Sequence, residues 1–477
     1  MLESITDNLS LHSCLAWLWA IAISATVISI KRFRDIINPV TGALASTAAV
    51  TCLLSAAASC LQFDGSQHSE PALKVVMAVS SVFIVAVVFG ALIRIRPMEI
   101  CLSAVLRRKT ASVGVMGPLP ASAVFLLAST ALLAIVAIIG GGGIVWIQNP
   151  RMAYLTSRAG AGLPWAASGW ALTIAVTLLI YQTRSLVGRM TIVALGCLLG
   201  LQLGTKAIPL ALVVISLMHQ HWCVKPVRPL GWGLAGITLA AAFSCLLWLQ
   251  RYDDLTGLPI NYFAEYSTSA ARGIDMLGPD GWWFTGSAWT TSMWEFVPRS
   301  MVAEKPFAYG IVLLLEELNP GMAELGHTAG VPSWILGFME AGLPGVMAMG
   351  FAMGQLHSAV FHVIGRRVNG PADLLLLIQV GVFPILLYSN PISTISIYYL
   401  LRFLIGDKGV PFGGGASGIG KLQRLIFPCH GPAGTIARKS THNDASASRQ
   451  HHFLHSALGR NLRLLGGDDP PYDPSQP

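Results

Sequence analysis

The sequence predicts an all-α polytopic integral membrane protein, with about 11 transmembrane helices arranged N-out/C-in. A large outer loop at about 250–332 and a disordered cytoplasmic tail complete the expected architecture. Three observations carry this. Only 11% of the 477 residues are charged while 53% are hydrophobic, with a mean hydropathy of +0.61, whereas a soluble domain carries about a quarter charged residues. The apolar residues gather in runs approaching the ~20 residues that cross a ~30 Å hydrocarbon core. The basic residues lie between those runs with a strong alternation of side.

The runs fall at 13–30, 42–62, 74–93, 120–147, 164–182, 189–204, 206–220, 230–249, 333–355, 372–389 and 391–405. Each is expected to be helical, because lipid offers no partner for an unpaired backbone N–H or C=O. No cleavable signal peptide is expected, since the first run follows Glu3 and Asp7 and leads into Lys31, Arg32 and Arg34. Placing that basic cluster in the cytoplasm puts the N-terminus outside. Fourteen basic residues then fall in five cytoplasmic loops and nine in the tail, against eight outside. The net charge of +8 is thereby explained by orientation, and no nucleic-acid partner is expected. Residues 1–405 form the membrane domain. Residues 406–477, rich in Gly, Ser, Thr, Asn and His, bury too little apolar surface to fold and read as the cytoplasmic tail.

The eight cysteines show no metal-ligand or redox spacing and read as small packing residues. No P-loop, dinucleotide fingerprint or zinc-hydrolase motif occurs, so neither a metal nor a cofactor is expected. No internal repeat of the kind that builds many transporters is visible.

The exceptions to the charge rule point to function. Seven of the eight outer basic residues sit at 149–162, at 204–206 and in the loop 250–332, among them Arg158, Lys206, Arg299 and Lys305. Cations there are disfavoured during insertion, so their concentration points to an anionic ligand, with pairing to Asp253, Asp254, Glu265 or Asp275 as the alternative. The loop is also aromatic, with Trp282, Trp283, Trp289 and Trp294 among its members. Interfacial anchoring explains part of this, and a face for stacking sugar rings is the sharper reading.

Within the loop, Pro298-Arg299 is followed by Lys305-Pro306, and further on stands Pro332-Ser333-Trp334-Ile335-Leu336-Gly337-Phe338-Met339-Glu340-Ala341-Gly342-Leu343-Pro344-Gly345. This pair of segments resembles the Wzy-type polymerases of O-antigen and capsular oligosaccharide repeat units. Asn38-Pro39, Arg158-Ala159-Gly160 and Gly204-Thr205-Lys206 add looser likeness. The family's acid directly after the glycine is replaced here by Phe338, with Glu340 two residues on.

The resemblance implies glycosyl transfer from one polyprenyl-diphosphate-linked glycan to another, at the outer face of a bacterial inner membrane. A flippase and a chain-length regulator are implied as associates. The residues suit such chemistry on their own terms. The two prolines restrain the backbone around Arg299 and Lys305, and with Arg158 and Lys206 these cations form an expected clamp for a departing diphosphate. Trp283 and Trp294 are the expected sugar platform. Glu340 or His327 is the expected group to take the acceptor's proton. Each has a plainer alternative: an ion pair for Arg299, a solvated span end for Glu340, loop surface for His327. An O-antigen ligase, which uses the same donor, is the nearest rival reading. A transporter ranks below, because the charged residues gather at the outer surface and not along the spans.

Overall fold

The structure is a computed structural model. It describes residues 9–65, 68–107, 117–139, 150–203, 207–225, 227–249, 258–280, 284, 286–292, 294, 297, 302, 304–321, 330–364, 370–381 and 391–405, of which 105–107, 150–163, 207, 229, 242–243, 245–249, 258–259, 377–381 and 391–397 are described by their backbone alone. All fall in the first of two compact units, Met1–Gln423; the second, Arg424–Pro477, holds most of the expected tail and lies outside the described residues.

Every regular element described is helical: α1 (Leu11–Phe33), α2 (Pro39–Thr47), a π-helix π1 (Ala49–Leu54), α3 (Ser55–Gln62), α4 (Glu70–Leu92), α5 (Arg96–Arg107), α6 (Pro118–Ile139), α7 (Pro150–Gln182), α8 (Leu186–Leu201), α9 (Ala207–His219), π2 (Gln220–Val224), α10 (Pro229–Leu249), α11 (Leu258–Leu277), α12 (Ser287–Thr291), α13 (Val312–Leu318), α14 (Ile335–Val363), α15 (Pro371–Gly381) and α16 (Pro391–Ile405). Among the described residues five stretches are long and apolar enough to cross a membrane: α1, α4, α6, Pro164–Gln182 of α7, and α14. The pair Pro39–Thr47 and Ala49–Gln62, bent by 49°, makes a sixth if taken as one span. These are the helices of a membrane protein, and apolar side chains such as Trp17, Phe89, Leu127, Ile138 and Met347 stand exposed along them.

Among the described residues the count of 11 is not reached. Leu186–Leu201, Ile208–Val224 and Leu230–Ala241 are shorter apolar helices. At 1.5 Å per residue a sixteen-residue helix covers about 24 Å, short of the ~30 Å core. Much of 372–389 lies outside the described residues. A second difference concerns Arg158, expected in a loop. Its backbone is helical, inside α7, which starts at Pro150 and runs through Pro164. Proline at the first helical position is preset for a helix, and Met152, Ala153, Leu155 and Ala159 propagate it.

Local chemistry sets the breaks. Asn38 caps α2 through a reciprocal box with Thr41. Thr47 and Thr51 then turn their hydroxyls back onto the carbonyls of Ala43 and Thr47, at 2.7 and 2.8 Å. Such back-bonding competes with the backbone ladder and bends helices, here where α2 passes into π1. In α14 the break is at Ala341–Gly342, where Gly342 takes φ 60° and ψ −143°, a region essentially restricted to glycine. A side chain on Gly337 would stand 2.6 Å from the Gly345 carbonyl oxygen. The glycines of the late motif therefore let the chain fold tightly between its two helical halves.

The apolar core divides. One part joins α1, α2, α4, α11 and the N-terminal half of α14 around Phe83, Trp334 and Phe338. The other joins α7, α8, α9, α15, α16 and the C-terminal end of α14 around Leu172, Leu212 and Leu374.

Candidate functional site

The candidate site lies where the segment between α10 and α14 packs on the early helices. It contains a twenty-residue helix, α11, whose buried Ala264, Ser267, Ala270, Ala271 and Ile274 recur at helical spacing. Small hydroxyl residues fasten it. Ser55 Oγ donates to Ser267 Oγ at 2.7 Å and accepts from the Ser267 N–H at 2.7 Å, while Ser59 Oγ donates to the Ala264 carbonyl at 3.0 Å. At the far end of α11 the Asp275 carboxylate accepts from both the N–H and the Oγ of Ser69, the cap of α4.

Next to this lies a histidine that sequence reasoning passed over. His68 stacks edge-on against Phe63 at 5.6 Å, and both its ring nitrogens are buried without a hydrogen-bond partner. Burial holds its pKa below the ordinary value, and Arg272 adds to this while Asp275 and Asp64 oppose it.

Glu340 is the best-defined of the expected residues. It ends the first half of α14, immediately before the break, and its carboxylate accepts from the backbone N–H of Gly286 and, at 2.8 Å, that of Trp289. Gly286 caps α12 with φ 85°, so Glu340 supplies from another helix the carboxylate that the orphan N–H groups of a helix start attract. The Phe284 N–H donates to the Met339 carbonyl at 2.9 Å, adding a backbone tie beside it. A carboxylate has about four acceptor positions and two are used here, so Glu340 is oriented but not exhausted.

Lys305 is buried. Its Nζ donates to the Val297 carbonyl at 3.0 Å and stands 4.6 Å from the Tyr309 ring centroid. The bond spans the interval that contains Arg299 in the sequence. Thr291, at the end of α12, accepts from the Gly310 N–H at 2.9 Å, which links the Glu340-capped helix to the Lys305–Tyr309 turn. Trp294 is half-buried and its carbonyl accepts from the Val297 N–H at 3.1 Å. Trp289, on α12, is 57% exposed, the more open of the two aromatic faces.

Glu340, Lys305 and Trp294 thus belong to one hydrogen-bonded segment between α10 and the break in α14. Arg299, His327, Lys206 and Trp283 lie outside the described residues, as does the side chain of Arg158. Tyr309 and the α12 amides were missed by sequence reasoning. Tyr309 stands four residues after Lys305, where a cation–aromatic contact is an available signal. The amides carry no side-chain signature at all.

Comparison with protein-family models, with curated proteins and with solved structures gave no match for this chain.

Proposed function

We propose that the chain is a polymerase of lipid-linked oligosaccharide repeat units, a multi-pass glycosyltransferase of the bacterial inner membrane with about 11 spans, N-out/C-in. The observation that supports this reading is that motif residues anchor one folded segment: Glu340 caps α12, and Lys305 bonds back to Val297 across the sequence interval that contains Arg299. In this reading Arg299 and Lys305, with Arg158 and Lys206, neutralise the diphosphate that departs as the sugar–phosphate bond breaks. Trp283 and Trp294 hold sugar rings. The acceptor hydroxyl gives its proton to Glu340 or His327, attacks the anomeric carbon, and the bond electrons leave with the polyprenyl diphosphate. The cations do this without a metal. The donor glycan is delivered by a flippase, and a chain-length regulator is the expected associate in surface polysaccharide synthesis. The short α8 and α9 fit spans that thin the bilayer or sit beside longer neighbours.

The test is the glycan profile of cells carrying Arg299→Ala, with membrane levels of the protein measured alongside. Single repeat units in place of long chains, at normal protein level, are the expected result. Polymer stranded on carrier lipid would assign a ligase instead, and unchanged long chains would remove Arg299 from the mechanism.

A further inference from the structure

A second polar site lies at the other end of the helix bundle. Glu340 and Val360, near the C-terminal end of α14, are separated by some twenty residues, about 30 Å of helix before the bend is allowed for. At that far end Val360 and Ile364 share a core with Tyr181, Met218 and Tyr398. Here Arg189, in the second turn of α8, is buried with 3% of its surface exposed, and His219, the last residue of α9, with 1%.

The protonation of this pair follows from one contact. Arg189 Nη1 lies 3.2 Å from His219 Nδ1. A guanidinium only donates, so Nδ1 is the acceptor and the ring proton sits on Nε2. His219 Nε2 and Arg189 Nε are both buried without a hydrogen-bond partner. Two unpaired donors therefore flank a buried cation, and no described carboxylate lies within 4.0 Å of it. The acids of this end are engaged elsewhere: Asp35 with His221 at 3.3 Å, Asp373 with the Tyr398 hydroxyl at 3.2 Å, and Glu99 with Arg94. Arg402 turns to the same Tyr398 hydroxyl at 3.1 Å.

A buried, uncompensated guanidinium is costly and persists where an anion offsets it. Its position strengthens the requirement, because a cation near a helix start opposes the macrodipole and an anion there is favoured. A π-helix, π2, follows directly on His219, and π-helical turns recur at functional sites. Exposed Arg184, Lys225 and Arg228 lie at the adjoining ends of α7, π2 and α10, a basic rim that draws anions inward. Leu186, Val187 and Met190 are exposed on other faces of α8, which sets an apolar surface for acyl chains next to the site.

We propose that Arg189 and His219 form a phosphate-binding site, taking either a free phosphate or the phosphate of an anionic lipid headgroup. The guanidinium supplies charge and the Nε–H, and the imidazole supplies its Nε2–H. The site is independent of the polymerase reading.

The test uses the full-length protein, delipidated in detergent or placed in nanodiscs. Thermal stability is measured in detergent with inorganic phosphate against chloride of equal ionic strength, and in phosphatidylcholine nanodiscs with and without phosphatidylglycerol. Stabilisation by phosphate in detergent identifies a free-anion site. Stabilisation by phosphatidylglycerol alone identifies a headgroup site. In either case Arg189→Met is expected to weaken the response by roughly ten- to a hundredfold in concentration, the scale of a charge-assisted bond. His219→Phe makes the same comparison if Arg189→Met fails to accumulate. An unresponsive wild-type protein, or variants that respond as it does, would overturn the proposal.

Discussion

Glu340 shows how one carboxylate can be both an architectural and a chemical group. Its two backbone partners belong to α12, so Glu340→Ala strands two N–H groups at a cost of about 1–3 kcal/mol each where they are shielded from water. Hydrogen exchange across 284–291 is expected to quicken in that variant. Glu340→Gln keeps an acceptor oxygen for the helix but has no basic carboxylate. If Glu340 takes the acceptor's proton, Gln keeps the protection of α12 and loses polymer. If the residue only positions the loop, Gln retains most of both. His68 offers a separate reading of pH. Its pKa is lowered by burial, so the unfolded chain binds the proton more readily and stability rises with pH. That contribution is complete above the ordinary histidine value of about 6.5 and is lost as the pH falls through the lowered folded value. The melting temperature of the wild type is expected to fall more between pH 7 and pH 5 than that of His68→Phe, with Asp64, Asp275 and Arg272 as the charges around the ring.

At the scale of elements, the long apolar helices were legible because the bilayer demands both length and composition. α1 and α4 match their expected runs within a few residues. The break in α14 was legible only as a glycine-rich motif; its cause, a positive φ at Gly342, is a backbone property. Gly342→Ala is expected to cost about 1–3 kcal/mol and to lower both melting temperature and membrane level of the protein, measured against the neighbouring Ala341→Ser. α11 was missed because its aromatic residues drew attention to surface function while its buried face is made mostly of Ala and Ser. Small residues give a weak hydropathy signal, although their spacing is helical. The capping of α12 by Glu340 was beyond sequence reasoning, since the partners are main-chain groups some fifty positions away.

Over the whole molecule, the polar clusters sort to two ends of the helices. Ser69–Asp275, Glu340–α12 and Lys305–Tyr309 gather at one. Arg94–Glu99, Asp35–His221 and Arg189–His219 gather at the other. The expected orientation puts the first group outside. In a cysteine-free background, Gly65→Cys is therefore expected to react with a membrane-impermeant thiol reagent in intact spheroplasts, and Lys225→Cys only after lysis; the reverse pattern would invert the topology. Of the site, Glu340 and Lys305 were legible from their motif, while the link between them through α12 and Gly310 became visible only from their neighbours.

Polymerisation is tested most directly by reconstitution. Lipid-linked repeat units extracted from cells lacking the protein are incubated with the purified chain in liposomes, and the products are separated by size. The account predicts a ladder of longer glycans still attached to polyprenyl diphosphate, with one carrier diphosphate released at each step. Repeat units that remain single beside a correctly folded protein would contradict it.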